Sequence, residues 1–503
     1  MTVQEPIIEE NSKTIYFPLS FAQQRLWFLE KLNPCKSIYN VPAILSLRGP
    51  LNIPLLNAAI KTIVKRHENL RVAIITESDT ACQVIDSEAS FDLEYQDLSN
   101  YQSEKRDVLL KEKLREEAST PFELFRAPLF RGSLICIAPH DHVLTFTFHH
   151  IITDAWSMEI FFEELSELYN AALENRQPKL PVLEVQYIDF AVWQRKFFSD
   201  QLIKKQLVYW KNHLENIPNV SSLPSDFLRP QEISYRGSVF RQMISAEILK
   251  PITDLAHQYN VTLFNVLITV YQVLIHFYSG QGSVVVGTPA LNRHYAKIEN
   301  LIGFFVNTLP IRLDFKESER FIDLVLKNQD TILSANENQD VPFEQVVDFL
   351  NTTRDLSHHP IFQCWFVLQN KTDNFLKLKN IEIENIEIDD PISKFDLALW
   401  IKESSDSLLL RFEYSTDLYR EETIRQFASS FALILEFIAK DPSAKIEEIP
   451  LISKSLKEKL LNQNSNSLSD REFLLLTIIE SKADALPNKV AIKQGELAIT
   501  YRE

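Results

Sequence analysis

The most constraining feature of this sequence is a change of hydrophobic period between residues 142 and 172. Within the segment 142–148, positions 144, 146 and 148 are large and apolar whereas 145 and 147 are threonines on the other face, which predicts a hydrophobic β-strand. From position 156 onward, apolar residues recur every three or four places with glutamates between them, which predicts an amphipathic helix. The segment 149–157, HHIITDAWS, joins the two elements. The junction therefore predicts a mixed α/β domain in which a strand leads directly into a helix.

This junction is also the best candidate for an active site. If the strand alternation continues one step, His150 points the same way as the apolar residues. An imidazole on an apolar wall beside a helix N-terminus is disfavoured as a cation by desolvation and by the helix dipole, so it would be neutral at pH 7, as a general base must be. Plainer explanations stay open: Asp154 or Thr153 could simply cap the helix, and His149 and His150 could be ordinary strand-end residues. Metal ligation is disfavoured because no Cys or Glu pair at ligand spacing accompanies them.

The composition excludes several classes of function. The chain has 503 residues, enough for two or three domains, and its 45% hydrophobic and 24% charged residues are typical of a soluble globular protein. The net charge of -16 argues against nucleic-acid binding, which needs clustered basic residues. Only 8 glycines are present, and no Gly-rich phosphate loop occurs among them. This scarcity draws attention to each retained glycine, Gly287 and Gly303 especially.

The cysteines and the apolar runs predict a cytoplasmic protein without a membrane span. Four cysteines lie far apart with no C-x-x-C pair, which disfavours both a zinc site and a disulfide framework. The acidic N-terminus has no positively charged region followed by an apolar run, so we expect no secretion signal. The most apolar run, Val261 to Tyr278, contains Asn265, Gln272 and His276, and therefore predicts a buried helix.

The order of predicted elements suggests two similar α/β lobes. A hairpin and helix around the junction are followed, after Pro178 and Pro181, by another series of helices and strands. The polar segment near Asn462 to Ser467 predicts a linker, and the residues beyond it start a new element that stops before it could form a core, as expected for a fragment. The predicted organisation is a leader at 1–15, an N-terminal lobe at 16–180, a C-terminal lobe at 181–455, a linker at 456–470 and a truncated further domain at 471–503.

Seven segments, in order, resemble the motifs of a condensation domain of a nonribosomal peptide synthetase. The histidine signature alone is weak, since other acyltransferases share it; the ordered set is specific. The segments are 20–29 (SFAQQRLWFL), 66–71 (RHENLR), 149–157 (HHIITDAWS), 187–193 (YIDFAVW), 302–308 (IGFFVNT), 338–344 (NQDVPFE) and 354–360 (RDLSHHP).

The end of the chain resembles a second kind of domain. Residues 486–492 (LPNKVAI) and 499–503 (ITYRE) resemble the opening of an adenylation domain, which follows a condensation domain within an elongation module. The nucleotide-binding core of such a domain does not follow. The resemblance therefore implies that this chain does not activate an amino acid itself.

The resemblance implies two chloramphenicol-acetyltransferase-like lobes arranged as a V-shaped pseudo-dimer with a central tunnel. Donor and acceptor peptidyl carrier proteins would present acyl and aminoacyl thioesters on phosphopantetheine arms, and the domain would bind no cofactor of its own. No carrier signature occurs in the sequence, so the carriers would be other domains or other chains. The expected partners are these carriers and the adjoining adenylation domain, with no nucleic acid and no membrane.

The resemblance also assigns roles to residues of the junction. The acceptor amine would attack the donor thioester while His150 deprotonates or orients that amine. His149 would be structural, and Asp154 would pair with an arginine to hold the loop. Further residues of the expected tunnel or of its structural pairings are Ala155, Trp156, Asn307 and the three candidate arginine partners, Arg66, Arg71 and Arg293.

One departure from the family pattern keeps alternative functions open. Ala155 stands where the family usually has glycine, so its methyl group either sits in a backbone conformation that alanine tolerates or narrows the acceptor entrance. The rival interpretations are a catalytically weak condensation-like platform that binds partner proteins, which Ala155 favours, and an epimerisation domain. An epimerisation domain would not normally precede an adenylation domain.

Overall fold

The computed structural model of the protein describes most of the chain and divides it into two compact units, Met1–Leu451 and Ile452–Glu503. Arg354, the first residue of one family-like segment, lies outside the described residues, as does most of the predicted linker. The described residues are 15–32, 37–77, 80–197, 200–316, 318–350, 355–369, 376–387, 392–404, 406–454, 457–459, 461, 475–494 and 497–502.

Helices and strands alternate along the first unit, as the changing hydrophobic period predicts. Its helices are α1 Phe21–Leu32, α2 Ile53–Arg66, α3 Ser103–Ser119, α4 Ala155–Leu173, α5 Tyr187–Phe197, α6 Asp200–His213, α7 Ala246–Gln258, α8 Leu263–Ser279, α9 Ala296–Glu299, α10 Phe321–Glu337, α11 Phe343–Phe349 and α12 Glu421–Lys440. Its strands are β1 Phe17–Pro18, β2 Asn40–Arg48, β3 Val72–Glu77, β4 Thr80–Ile85, β5 Glu94–Asp97, β6 Phe130–Ala138, β7 Asp141–His149, β8 Gly237–Ile244, β9 Ser283–Ala290, β10 Asn307–Asp314, β11 Cys364–Gln369, β12 Glu382–Asn385, β13 Leu397–Glu403 and β14 Leu408–Ser415.

Two large sheets define an N-terminal and a C-terminal lobe within this unit. Among the described strands, the first sheet has the order β12-β2-β7-β6-β5 and the second the order β10-β9-β11-β13-β14-β8. The runs β2-β7-β6-β5 and β8-β14-β13-β11 match strand by strand, with two antiparallel pairs followed by a parallel pair. In both lobes the outer strand of the run leads into a helix, α2 or α7, and the next strand into a second helix, α4 or α12. The loose repeat in the sequence therefore corresponds to a repeated topology.

Strand β7 lies in the interior of the first sheet and is buried on both faces. Its even positions pack on α4, where the rings of Phe146 and Phe148 lie 5.1 and 5.2 Å from the ring of Phe161. The threonine face is also buried, because Thr147 donates a hydrogen bond to the Glu117 carbonyl of α3, which covers that side. The sequence made no prediction about the burial of this face. The alternation predicted the pleat, but it could not predict a helix over the polar face.

Helix α8 forms the centre of the C-terminal lobe. Every residue from Asn265 to Ile275 is buried, Thr262 caps the helix by accepting a hydrogen bond from the Asn265 N–H, and Gly280 ends it in the left-handed region at φ 67°. The prediction of a buried helix here is confirmed. Among the described residues no single helix is long and apolar enough to cross a membrane, although α7 and α8, bent by 111°, meet the length and composition criteria as a pair.

Some segments that the sequence assigned to the C-terminal lobe by position belong to the N-terminal one. Strand β12 falls within the predicted C-terminal lobe, 181–455, yet it pairs with β2 of the N-terminal sheet from Glu382↔Arg48 to Asn385↔Leu45. The edge of β2 not paired with β7 accepts this strand, because an unpaired edge exposes backbone donors and acceptors. Ile302 and Phe304 likewise belong to the core of the N-terminal lobe. The C-terminal part of the chain therefore completes the N-terminal lobe.

The described residues of the second unit include a helix and a hairpin near its end. Helix α13 covers Leu475–Ala485, and strands β15 (Val490–Gln494) and β16 (Leu497–Thr500) pair antiparallel. These elements coincide with the segments in which the sequence predicts the start of a new element.

Candidate active site

His150, the second residue of the histidine pair, begins a 3₁₀ turn rather than extending the strand. Strand β7 ends at His149, and the turn covers His150–Ile152. The Nδ1 atom of His150 lies 2.7 Å from the Thr153 carbonyl oxygen, which can only accept, so Nδ1 carries the hydrogen. In the neutral ring this leaves Nε2 as a hydrogen-bond acceptor. The ring also meets Phe304 edge to face at a centroid distance of 4.8 Å.

The surroundings of His150 keep its imidazole neutral. Burial and, after it, the positive charge of Lys394 lower its pKa to about 4, against the opposing effects of the Thr153 carbonyl and Asp154. This agrees with the neutral imidazole expected from the sequence. The sequence named desolvation correctly, whereas no local pattern pointed to a lysine of the C-terminal lobe as a second cause.

His149 is enclosed in the N-terminal lobe and is 1% exposed. Its Nδ1 accepts a hydrogen bond from the Ile151 N–H at 3.1 Å, which helps to close the 3₁₀ turn. Its Nε2 lies 3.9 Å from the Glu30 carboxylate, and its ring lies between those of Tyr39 and Phe122. These contacts hold the turn and leave neither ring nitrogen facing an open space.

Asp154 connects the start of α4 to a distant part of the chain. Its Oδ1 accepts from the Ser157 N–H at 2.8 Å and from the Ser157 hydroxyl at 2.7 Å, while Oδ2 accepts from the Phe305 N–H at 3.0 Å. Arg293 completes the set, since its Nη2 lies 3.1 Å from Oδ1 and 3.4 Å from Oδ2. The carboxylate is therefore both a helix cap and half of an ion pair, the two explanations that the sequence left open.

Arg293 is the arginine that meets Asp154. Its side chain is 4% exposed and that of Asp154 is 1% exposed. The guanidinium donates to the carbonyls of Ile298 and Leu301 and lies 4.0 Å from the centre of the Phe305 ring. Burial lowers the pKa of Arg293, and the charge of Asp154 opposes this effect. The pair thereby fixes the segment 298–305 against the N-terminus of α4.

Comparison with known proteins places this arrangement in a family. A family model described as a condensation domain matches residues 13–461. The chain belongs to the condensation-domain family. Gramicidin S synthase 2 of Brevibacillus brevis is 34% identical over 507 residues, which cover 99% of this chain and 11% of that relative. Plipastatin synthase, in one of its subunits from Bacillus subtilis, is 33% identical over 501 residues, which cover 99% of this chain and 13% of that relative. The condensation domain thus spans a small part of the curated relatives that it matches.

Solved structures have the same fold. A four-domain nonribosomal peptide synthetase bound to AMP and glycine matches all of this chain and 38% of its own, with a TM-score of 0.80 and 20% identity. The X-domain in a complex with OxyB from teicoplanin biosynthesis matches 90% of this chain and 99% of its own, with a TM-score of 0.77 and 25% identity. The predicted fold class, α/β with two chloramphenicol-acetyltransferase-like lobes, is confirmed.

The other two candidate arginines of the condensation domain lie elsewhere. Arg66 contacts the Glu164 carboxylate at 2.9 Å and the Pro181 carbonyl. Arg71 donates to the Val64 carbonyl at 3.1 Å. Both arginines therefore brace α2 and its following turn. Their spacing from the histidines could not distinguish them from Arg293, because all three are far from Asp154 in sequence.

Three further contacts of the junction were not predicted. The Ile151 carbonyl faces the buried amide of Gln23 at 3.4 Å, and the Ile152 carbonyl accepts from the buried Asn69 amide at 2.8 Å. The Ser157 hydroxyl oxygen accepts from the Gly303 N–H at 3.0 Å. Only Ser157 left a signal in the sequence, since a serine three places after a capping aspartate is a common partner at a helix start.

The two glycines that the sequence singled out are both positions of close approach. A Cβ atom on Gly303 would lie 2.0 Å from the ring of Tyr187, and one on Gly287 would lie 2.2 Å from the ring of Phe362. Tyr187 donates its hydroxyl to the Phe304 carbonyl at 2.7 Å, so the ring cannot withdraw without losing this bond. The absence of a side chain at Gly303 thus lets the 302–308 segment reach the N-terminal lobe.

The remaining predicted residues, Ala155, Trp156 and Asn307, lie in different surroundings. Ala155 is exposed and occupies the first turn of α4, where the backbone does not adopt a positive φ, so alanine is tolerated. Trp156 donates its indole N–H to the Glu299 carbonyl at 3.0 Å and borders a cleft of about 700 Å³ that Arg293 also lines. Asn307 lies apart from this cleft and donates to the Gln339 and Val341 carbonyls, both at 2.7 Å. Within the described part of the chain, no group of three His, Cys, Asp or Glu side chains could hold a metal ion.

Proposed function

We propose that this condensation domain joins a carrier-bound acyl or peptidyl thioester to the amine of a carrier-bound aminoacyl thioester, with His150 at the reacting atoms. The observation that carries this proposal is the imidazole geometry. Nδ1 is held by the Thr153 carbonyl, which leaves the Nε2 lone pair to accept a hydrogen bond. An amine N–H is the donor that such an acceptor would orient toward a thioester carbon.

The low pKa of His150 defines its part in the reaction. Protonating a group with a pKa of about 4 at pH 7 costs on the order of 4 kcal/mol, so the ring is a poor base toward a free amine. The nitrogen becomes acidic once the C–N bond has formed. His150 then orients the neutral amine before the attack and takes its proton afterwards. Alignment of the two thioesters lowers the activation free energy by a larger amount, roughly 7–11 kcal/mol.

Asp154 and His149 serve this geometry without contacting substrate. Asp154 binds Arg293 and the Phe305 N–H, and so joins the turn that carries His150 to the opposite lobe. His149 closes the turn from behind through the Ile151 N–H. Ala155 and Trp156 border the entrance used by the acceptor. The donor and acceptor peptidyl carrier proteins reach the junction through opposite mouths of a tunnel between the lobes, each with a phosphopantetheine arm.

The end of the chain supports a place within an elongation module. We propose that 471–503 is the start of an adenylation domain that comes after the linker. The hairpin of β15 and β16 lies in the two segments that resemble such an opening. The adjoining adenylation domain and the carriers would be the partners of the full-length synthetase, which we expect to be cytoplasmic.

A second candidate function is a platform that binds a partner protein without catalysis. The observation in its favour is the similarity to the X-domain solved in a complex with OxyB. The neutral imidazole with an available Nε2 favours the enzyme instead. In the same experiment, the enzyme would form an amide and the platform would not.

The deciding experiment is a single-turnover assay with both carriers loaded. The donor carrier would bear each of several acyl groups, the acceptor carrier each of the proteinogenic amino acids, and the amide product would be followed by mass spectrometry. Formation of an amide that depends on His150 supports the enzyme. Binding of loaded carriers without an amide from any donor and acceptor pair would favour the platform and overturn the proposed reaction.

A further inference from the structure

A buried chain of hydrogen bonds joins Phe304, the residue that packs on His150, to the start of α1. The Phe304 carbonyl can only accept, so the Tyr187 hydroxyl uses its single hydrogen on it, at 2.7 Å. The Ser20 hydroxyl, 2.9 Å from the Tyr187 oxygen, therefore donates to that oxygen. It accepts in turn from the Gln23 N–H at 3.1 Å. All hydrogen bonds of the chain run in one direction, and such chains strengthen by mutual polarisation.

The Gln23 side chain connects this chain to the turn that carries His150. Its Oε1 accepts from the Ser20 N–H at 3.0 Å, which completes a reciprocal cap at the start of α1. Its Nε2 lies 3.4 Å from the carbonyl oxygen of Ile151, the residue after His150. The chain thus links the two structures that hold the imidazole, the Phe304 ring and the 3₁₀ turn.

The side chains of this chain are enclosed and uncharged. Ser20 and Gln23 are fully buried, and Tyr187 is 1% exposed. Burial raises the pKa of Tyr187, so its hydroxyl keeps its proton at pH 7. A buried carbonyl that loses its donor pays the full cost of its desolvation, so the Phe304 carbonyl stays bound to this hydroxyl while the lobes are packed.

The imidazole of His150 needs support because its outer torsion is soft. Rotation about the Cβ–Cγ bond of histidine has broad, roughly two-fold preferences, so packing rather than rotamer preference sets the direction of Nε2. The Thr153 carbonyl binds Nδ1 at 2.7 Å, and the Phe304 ring meets the imidazole edge to face at 4.8 Å. A shift of the Phe304 ring would therefore let the imidazole turn.

The peptide group between Phe304 and Phe305 is bound at both ends. Its N–H donates to Oδ2 of Asp154 at 3.0 Å, and its carbonyl accepts from the Tyr187 hydroxyl. Asp154 thus ties the peptide to the start of α4, and Tyr187 ties it to α5. Because a peptide group is planar, the two bonds together fix its rotation, and with it the direction in which the Phe304 side chain leaves the backbone.

We propose that Tyr187 is a positioning residue of the condensation reaction, which acts through Phe304 to keep Nε2 of His150 directed at the acceptor amine. The inference rests on the proposed amide-forming function. The Tyr187 hydroxyl contacts no substrate and gives up no proton in this role. Its loss would release the carbonyl end of the peptide and widen the range of imidazole orientations, of which only some can accept from the amine.

The test compares Tyr187→Phe with Tyr271→Phe in the full chain, under single-turnover conditions with a pair of loaded carriers that forms an amide. Tyr187→Phe removes only the hydroxyl and should lower the saturating rate about 3- to 10-fold, the range that one hydrogen bond corresponds to. The concentration of acceptor carrier at half the maximal rate should change less than about 2-fold, because the hydroxyl does not contact the carrier.

Tyr271 provides the matched control. Its buried hydroxyl also donates to a backbone carbonyl, that of Leu397 at 3.2 Å, but within the core of the C-terminal lobe. Tyr271→Phe should keep the rate within about 2-fold of the unmodified protein, since both changes remove one buried hydrogen bond and only one of these bonds leads to His150. Thermal unfolding of both variants checks that the fold is intact.

A double-mutant cycle separates positioning from a loss of folded structure. If Tyr187 acts through His150, Tyr187→Phe should slow the His150→Ala variant less than about 2-fold, because the group that it positions is gone. The ring itself gives a second readout, which does not depend on activity. In NMR of labelled imidazoles, assigned with His150→Gln, the single Nδ1–H tautomer of His150 should be kept in Tyr271→Phe and replaced by a mixture of tautomers in Tyr187→Phe.

The other end of the chain offers an independent variant should Tyr187→Phe not fold. Gln23→Met removes the donor to the Ile151 carbonyl, and its effect on the rate should likewise disappear in the His150→Ala background. Equal slowing with and without His150, or an unchanged tautomer in Tyr187→Phe, would overturn the role of Tyr187 while leaving the proposed function intact. Failure of the unmodified chain to form any amide would instead overturn the proposed function.

Discussion

The same strand-to-helix unit occurs once in each lobe, and only the β7–α4 copy carries the histidine pair that we propose as the active site. Strand β7 ends at His149 and α4 begins at Ala155, while β14 ends at Ser415 and α12 begins at Glu421, so five residues join strand and helix in each case. By this alignment Thr416 takes the place of His150.

The two copies also differ in the residue that caps the helix. Arg420 takes the place of Asp154, is exposed, and caps α12 without a side-chain hydrogen bond. Asp154 is 1% exposed and binds the opposite lobe through Arg293. The backbone unit is therefore a scaffold. A reactive centre arises where the other lobe covers the junction, because coverage supplies the desolvation that keeps the imidazole neutral.

The largest expected effect distinguishes His150 from Thr416, the residue at the matching position in the other lobe. His150→Ala should lower the single-turnover rate of amide formation about 10²- to 10⁴-fold, the range for loss of general acid–base assistance, without abolishing it. Thr416→Ala at the matching position should leave the rate unchanged. Equal effects of the two changes would contradict the assignment of the active copy.

The next effect concerns the two helix caps. Asp154→Ala leaves the buried Arg293 guanidinium without its partner, which should lower the free energy of unfolding by about 3–5 kcal/mol, measured by denaturant titration. Arg420→Ala alters an exposed cap and should change it by less than about 0.5 kcal/mol. The arrangement described for Asp154 would be wrong if the two variants were equally stable.

A smaller effect distinguishes the imidazole from an ordinary histidine. Its pKa of about 4 lies below the unfolded value, so His150 should stay neutral in the folded protein down to about pH 5, as seen by NMR of labelled imidazoles with His150→Gln for assignment. The neutral folded ring stabilises the protein above pH 6.5, and this contribution is lost as the pH falls from about 6.5 toward 4. A midpoint near 6.5 would contradict the burial of the ring.

The smallest effect is expected at the first residue of each helix. Ala155→Gly restores the residue usual in the family, and because the backbone there already tolerates alanine, it should alter the rate less than about 3-fold and cost roughly 0.5–1 kcal/mol through helix propensity. Glu421→Gly gives the matching change in α12. A large gain in rate from Ala155→Gly alone would instead mean that the methyl group obstructs the acceptor.

Local patterns in the sequence predicted the strands and helices but not which distant segments pack over them. The strand, the helix and the buried α8 were predicted from hydrophobic period, which reports how one segment meets its nearest layer. The burial of the threonine face of β7 and the pairing of β12 with β2 depend on which segments arrive from elsewhere. The hydrophobic period of a strand does not indicate which distant segments pack against it.

The sequence by itself determined the strand-to-helix junction, the neutral state expected of His150 and the family to which the chain belongs, because these depend on adjacent residues and on the order of short motifs. Only the tertiary structure decided that Arg293 is the partner of Asp154, and that Gln23 and Asn69 reach the carbonyls of the 3₁₀ turn. Each of these contacts joins residues far apart in the chain. Their meeting depends on how the two sheets pack and on which segments of the C-terminal lobe join the N-terminal one.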